Sequence, residues 1–175
     1  APDENAVVKS GFWDDRNLLE IGIAGQGKSG YGNYDFFRNR LLFRITDHRG
    51  GIVGLAGRRL RADDSLLGED GKPKRAKYVN PKESVLYKKS ETLFGLHENR
   101  KGIREAGYAI LVEGYFDVVT PHDYGVQNCV APCGTALTEQ QANLLKRYTD
   151  EVVVLRDGDE AGIEAVMVRS ALTCE

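Results

Sequence analysis

Three short apolar runs in the second half of the chain constrain its fold more than any other feature. They are YAILVEG from Tyr108, NCVAP from Asn128 and EVVVL from Glu151. Continuous apolar runs of this length are expected of strands buried on both faces of a parallel sheet. The segments between them carry helix signals. Thr120–Pro121 fits an N-cap and first helical position, with Gly125 as the stop. Thr138 and Gln141 have capping-box spacing for a helix through Tyr148. Ile163, Val166 and Met167 fall on the inward face of a last helix. Strands and helices alternating at this pitch predict a small doubly wound α/β sheet.

The first half has a different grammar. Asp14–Asp15 starts a helix with Leu18, Leu19 and Ile21 facing inward, ended by Gly22 and Gly25. RLLFRIT (40–46) and GIVGLAGRRL (51–60) read as a hairpin about the turn DHRGG. Residues 61–75 read as a polar loop, and AKYVN as a short strand. Ser90 caps an expected helix through ETLFGLHENRKGIREA that ends at Gly107. The expected organisation is a mixed α+β subdomain, 1–106, followed by a small parallel-sheet domain, 107–175. The boundary falls near Ala106–Gly107. The stretch GIAGQGKSGYG matches G-x-x-x-x-G-K-[ST], a phosphate-cradling pattern. That mechanism needs a buried strand before the loop and a helix starting at Lys28–Ser29. A helix precedes it here and turn formers follow, so a surface loop is the expectation.

Composition narrows the class. The chain has 175 residues, 41% hydrophobic and 29% charged, an ordinary globular balance. No apolar run approaches the roughly 20 residues of a membrane span, and no secretory signal is visible. A start at Ala without Met reads as an excised fragment. Cys129 and Cys133 lack zinc spacing, Cys174 stands apart, and the three histidines are scattered. Reduced core thiols and a cytoplasmic location follow. From Phe36 to Arg104 there are 17 Lys and Arg against 8 Asp and Glu, a net of +9; the remaining residues carry 7 against 18, a net of −11. Such asymmetry suits a protein that holds a polyanion with one part and a divalent cation with the other.

Ligands of α/β sheets bind at the carboxyl ends of the strands. There the sequence places Glu113 and Asp117 in EGYFD, and Asp157 and Asp159 in RDGDEAG. A lone carboxylate after a strand is most often a helix cap. Several converging on one edge repel one another unless a cation lies between them. Carboxylate oxygens suit Mg²⁺ or Mn²⁺. Gly134, in GTALT, permits close backbone approach at the same edge.

LVEGYFDVV, GTALT and VVVLRDGDEAG resemble the motifs of a TOPRIM domain, the metal-binding fold of primases, some topoisomerases and some nucleases. FWDDRNLLEIGI, YDFFRNRLLFRITDHRGGIVGLAGRRL, AKYVNPKES and LYKKSETLFGLHEN resemble the amino-terminal subdomain of the bacterial DnaG-type primase core, in the same order. The resemblance spans nearly the whole chain. It implies a DNA-templated RNA polymerase that starts primers de novo on single-stranded DNA from ribonucleoside triphosphates. Glu113, Asp157 and Asp159 match the catalytic, metal-site acids of that family, and Asp117 the second acid of its first motif; Glu113 alternatively relays a proton. Arg38, Arg40, Arg58, Lys77 and Lys89 match basic residues that hold template or incoming nucleotide. For each of these alone the plain alternative is a solvated surface charge. Tyr31, Tyr34 and Phe37 are read as packing residues rather than base-stacking ones.

The resemblance also implies a replicative helicase as partner, through a domain this chain lacks. The zinc-binding module is absent too, the family's third acidic motif would lie beyond Glu175, and Arg44 stands where the family usually has Pro. Two other readings stay open: a TOPRIM topoisomerase or nuclease, and a non-catalytic single-stranded DNA-binding scaffold.

Overall fold

The computed structural model describes residues 6–11, 14–27, 32–60, 76–134, 136–155 and 166–168. Lys28–Ser29, Tyr31, the loop at 61–75, Asp157, Asp159, Ile163 and Cys174 lie outside the described residues. By its contacts the chain forms two compact units, Ala1–Arg44 with Gly54–Tyr87, and Ile45–Val53 with Lys88–Glu175.

In the first unit, helix α1 spans Ala6–Lys9 and α2 spans Asp15–Glu20. Asp14 caps α2, its Oδ1 accepting from the Arg16 N–H at 2.8 Å. Leu18 is buried as expected, but Ile21 is 41% exposed, because it is already the C-cap of α2. Gly22 ends the helix, while Gly25 belongs to a two-residue strand, β1 (Ala24–Gly25), paired antiparallel with β2 (Tyr34–Asp35). A strand rather than a helix is thus the next described element after the Lys28–Ser29 segment. Buried Asp35 fixes α1 by accepting from the Val7 and Val8 N–H groups at 2.8 and 2.9 Å.

The expected hairpin is present as β3 (Arg40–Thr46) and β4 (Ile52–Arg59), with β5 (Tyr78–Val79) beyond it in the order β3-β4-β5. Its tip, Ile45–Val53, packs with the second unit. Asp47 shapes the turn, its Oδ1 accepting from the N–H groups of Arg49 and Gly51 at 2.9 and 2.8 Å. Partial desolvation pushes the Asp47 carboxyl up, but these backbone donors outweigh it and hold it below the ordinary aspartate value. Gly57 is required in β4, since a Cβ there would lie 2.7 Å from the Phe37 ring and 2.8 Å from the Arg40 side chain.

The second unit is built on a five-stranded sheet, order β10-β9-β7-β8-β6. Its centre is parallel, as the three apolar runs predicted: β7 (Ala109–Leu111) pairs parallel with both β8 (Cys129–Pro132) and β9 (Val152–Val154). The edges are antiparallel. β6 (Leu93–Phe94) pairs with β8, and β10 (Val166–Val168) with β9. Helix α3 spans Leu96–Ala106, α4 Tyr115–Asp123 and α5 Glu139–Leu145. Leu93, Leu96, Ile103, Ala109, Leu111, Val130 and Leu145 form one buried cluster. Helix α3, which precedes the expected sequence boundary, therefore contributes to the core of the second unit.

Four expectations are corrected. The helix expected from Ser90 begins at Leu96, because Gly95 adopts φ +81°, which no helix continues, and Leu93–Phe94 are buried as an edge strand. Lys89–Glu91 is a 3₁₀ turn. Helix α4 starts at Tyr115, not at Pro121, because Asp117 closes a cap on the Gly114 N–H at 2.9 Å. Pro121 is tolerated within its last two turns, and Gly125 (φ +89°) follows as the expected stop. Helix α5 has the expected Thr138–Gln141 capping box but ends at Leu145, with Lys146 as its C-cap. Val166–Val168 is a strand rather than part of a helix: apolar residues, two of them β-branched, pair with an edge of β9 that would otherwise lack a partner.

Candidate metal and nucleic-acid site

Strand β7 ends at Leu111, and Val112–Gly114 turn the chain into α4. This places Glu113, exposed, at the carboxyl edge of the parallel strands. It borders a cleft of about 470 Å³ whose walls are the segments leaving all three strands, among them Leu111, Pro132, Gly134, Leu137 and Val154. This is the edge at which the sequence placed the acids. Asp157 and Asp159 follow Val154 along the chain but lie outside the described residues.

Asp117 is held differently. Its Oδ2 accepts from the Gly114 N–H, so it is the cap of α4. It lines a second cleft, of about 570 Å³, with Ile110, Phe116, Thr120 and Cys129. Val112 and Leu155 border both clefts. The two acids of the first motif thus open to different clefts. Burial, with the Asp117 charge added, pushes the Cys129 thiol up, so it stays protonated at neutral pH and acts as a core residue. Among the described residues no three His, Cys, Asp or Glu side chains converge as a ready metal cluster. The described acids offer carboxylate oxygens only, the donor type that a hard divalent ion takes.

The basic candidates fall into three kinds. Arg40 is 5% exposed. Its guanidinium donates to three carbonyls, Gly57 at 3.2 Å, Lys77 at 3.3 Å and Ala76 at 2.9 Å. It ties β3 to β4 and to the approach to β5. Arg38, Arg58 and Lys77 instead sit over aromatic rings: Arg38 lies 5.4 Å from the Tyr34 centroid, and Arg58 and Lys77 each 5.9 Å from that of Tyr78. Lys89, half-buried, belongs to the 3₁₀ turn of the second unit.

The sequence reading missed Tyr78 and the pair Lys82–Phe36, where the ammonium lies 5.4 Å from the ring centroid. The Tyr78 arrangement depends on register, since Arg58 and Tyr78 are direct partners across β4 and β5. Composition does not show which strand residues face each other. Phe37 is core, as expected. Tyr34, expected only to pack, carries Arg38 on its face.

Comparison with known proteins fits this arrangement. Residues 3–100 match the family model of the DNA primase catalytic core, N-terminal domain, and residues 110–174 match a Toprim-like model. The chain is 46% identical over 169 residues to a DNA primase of Aquifex aeolicus, covering 95% of this chain and 32% of that protein. The crystal structure of the zinc-binding and RNA polymerase domains of Aquifex aeolicus primase superposes with a TM-score of 0.78 at 42% identity, covering 93% of this chain and 38% of that one. A DnaG primase catalytic domain solved bound to single-stranded DNA gives 0.76 at 34% identity, covering 94% and 48%. The chain spans about a quarter to a third of the length of the curated relatives it matches. Both halves match in order and nearly end to end, and the chain belongs to the DNA primase catalytic-core family.

Proposed function

We propose that this chain is the nucleotide-polymerising core segment of a cytoplasmic primase, which makes short RNA primers de novo on single-stranded DNA. The observation that carries the reading is Glu113 at the carboxyl edge of a parallel sheet, in a chain whose two halves match the primase core and Toprim-like models. Topoisomerase, nuclease and scaffold readings give way, because the matched relatives are primases.

Glu113, Asp157 and Asp159 would hold Mg²⁺ or Mn²⁺, and Asp117, the second acid of the same motif, would act from the neighbouring cleft while capping α4. When bound, the metal neutralises triphosphate charge and makes a 3′-hydroxyl more acidic. The protein's own groups orient and bind. Glu113 presents its carboxylate at the mouth of the cleft. Arg38, Arg58, Lys77 and Lys89 supply phosphate contacts, which position a strand without reading its sequence. The Tyr34 and Tyr78 rings support those cations from below. Arg40 contributes one step back, by fixing the backbone that presents Lys77. A replicative helicase would be met through regions of the whole protein outside this chain.

The test is a chimera in which this chain replaces the corresponding segment of the Aquifex aeolicus primase. It should make primers on single-stranded DNA, and Glu113→Gln should reduce synthesis on the order of a hundredfold or more. A well-folded chimera with no synthesis, or a Glu113→Gln variant of full activity, would overturn the reading.

A further inference from the structure

The 3₁₀ turn that carries Lys89 spans only Lys89–Glu91 and has no side-chain cap of its own. Turns this short have poor hydrogen-bond geometry and hold their shape through partners. Here the partners come from the N-terminus of α5. Gln141, 0% exposed, donates from Nε2 to the Lys89 carbonyl at 2.9 Å and to the Thr92 carbonyl at 2.8 Å. The Thr138 hydroxyl donates to the Ser90 carbonyl at 2.6 Å. Three of the four carbonyls from Lys89 to Thr92 are therefore fixed by two side chains.

Those side chains are themselves fixed. Gln141 Oε1 accepts from the Thr138 N–H at 3.0 Å, and Thr138 Oγ1 accepts from the Gln141 N–H at 3.2 Å. Both amide protons and the amide oxygen of Gln141 are used, in one orientation only. The same cap closes the segment that brings Gly134 and Leu137 to the Glu113 cleft. One pair of residues thus sets the backbone under Lys89 and the wall beside Glu113.

We infer that Gln141, braced by Thr138, is a positioning residue for Lys89. It holds the lysine where its ammonium meets a phosphate, of the template strand or of the incoming nucleotide. The inference rests on the reading of Lys89 as a phosphate contact. Replacing the Gln141 amide by a carboxylate would set negative oxygens against two carbonyls, release the turn and move Lys89 without removing its charge.

A double-mutant cycle on the whole chain tests this. The probes are a fluorescein-labelled oligothymidylate for the template and mant-GTP with Mg²⁺ for the nucleotide. Lys89→Ala and Gln141→Glu should each weaken binding of the same probe by about fivefold, and the double variant should bind no worse than Lys89→Ala alone. The probe affected tells which phosphate Lys89 meets. Melting temperature should fall with Gln141→Glu in both backgrounds, separating stability from positioning. Should Gln141→Glu fail to fold, Thr138→Val replaces it, with Thr138→Ser as the hydroxyl-keeping rescue. Multiplicative losses in the double variant would overturn the positioning role while leaving Lys89 as a contact. No effect of Lys89→Ala on either probe would overturn the contact, and the inference with it.

Discussion

Arg40 and Val130 lie at similar depth in the two units, 5% and 0% exposed, and they do opposite work. In the first unit a charged group is buried to organise a sheet. The Arg40 guanidinium ties together the carbonyls of Gly57, Ala76 and Lys77, while Arg58 and Lys77 flank the Tyr78 ring. In the second unit the sheet is held by apolar packing of Val130 with Leu93, Leu96, Ile103, Ala109, Leu111 and Leu145. The described strands of that sheet contain no charged residue, and Glu113 stands just past the end of one of them. A sheet stabilised by apolar burial can be fed by any apolar sequence of the right length. A sheet tied by one guanidinium depends on a residue that also counts, in the sequence, toward the basic surface.

Truncation of the apolar core should have the largest effect. Ile103 is fully buried, so Ile103→Ala should cost about 2–5 kcal/mol, read as a lowered denaturant midpoint. A loss below about 1 kcal/mol would show that the second unit's core can collapse around the cavity, and would weaken the contrast. Arg40→Met should cost less, about 1–3 kcal/mol, from carbonyls left without their donor. Its sharper signature is in binding. In a folded Arg40→Met variant the salt dependence of oligothymidylate binding should keep its slope, whereas Lys77→Ala should lower it by about 0.7. An equal drop for both would place Arg40 among the phosphate contacts.

The smallest effect belongs to the hairpin tip. The Asp47 carboxyl is lowered from its usual 3.8 in the folded chain. A group lowered on folding contributes stability above its unfolded value and loses it as pH falls through the folded one. The wild-type chain should therefore lose a small increment of stability below about pH 4 that Asp47→Asn lacks. Parallel acid-melting profiles for the two would remove the role given to this carboxylate.

Much of the second unit is legible in the sequence because its signals are local. Three apolar runs give three parallel strands, and the Thr138–Gln141 spacing gives the cap of α5. Glu113 lies at the strand edge, where the rule that ligands bind at strand ends placed it, while Asp157 and Asp159 lie outside the described residues. Local signals misled where tertiary partners decided. Leu93 and Phe94 look like the start of a helix but are buried against Pro132 and Ala131 as a strand. Asp117 looks like a ligand and is also the cap of its own helix.

What the sequence determined by itself is the class of chemistry: acids after apolar strands, and a basic segment before them. These are properties of residue type and order. Only the tertiary structure decided how each lysine and arginine is held. Arg40, Arg58 and Lys77 carry the same charge in the sequence, yet one is bound to carbonyls inside a sheet and two lie over a ring at its surface. The difference arises from strand register. Pairing Arg58 with Tyr78 sets that guanidinium beside the ring, while Gly57, one residue before it and so on the opposite face, leaves the room that the Arg40 side chain fills; no count of charges along the chain contains that alternation.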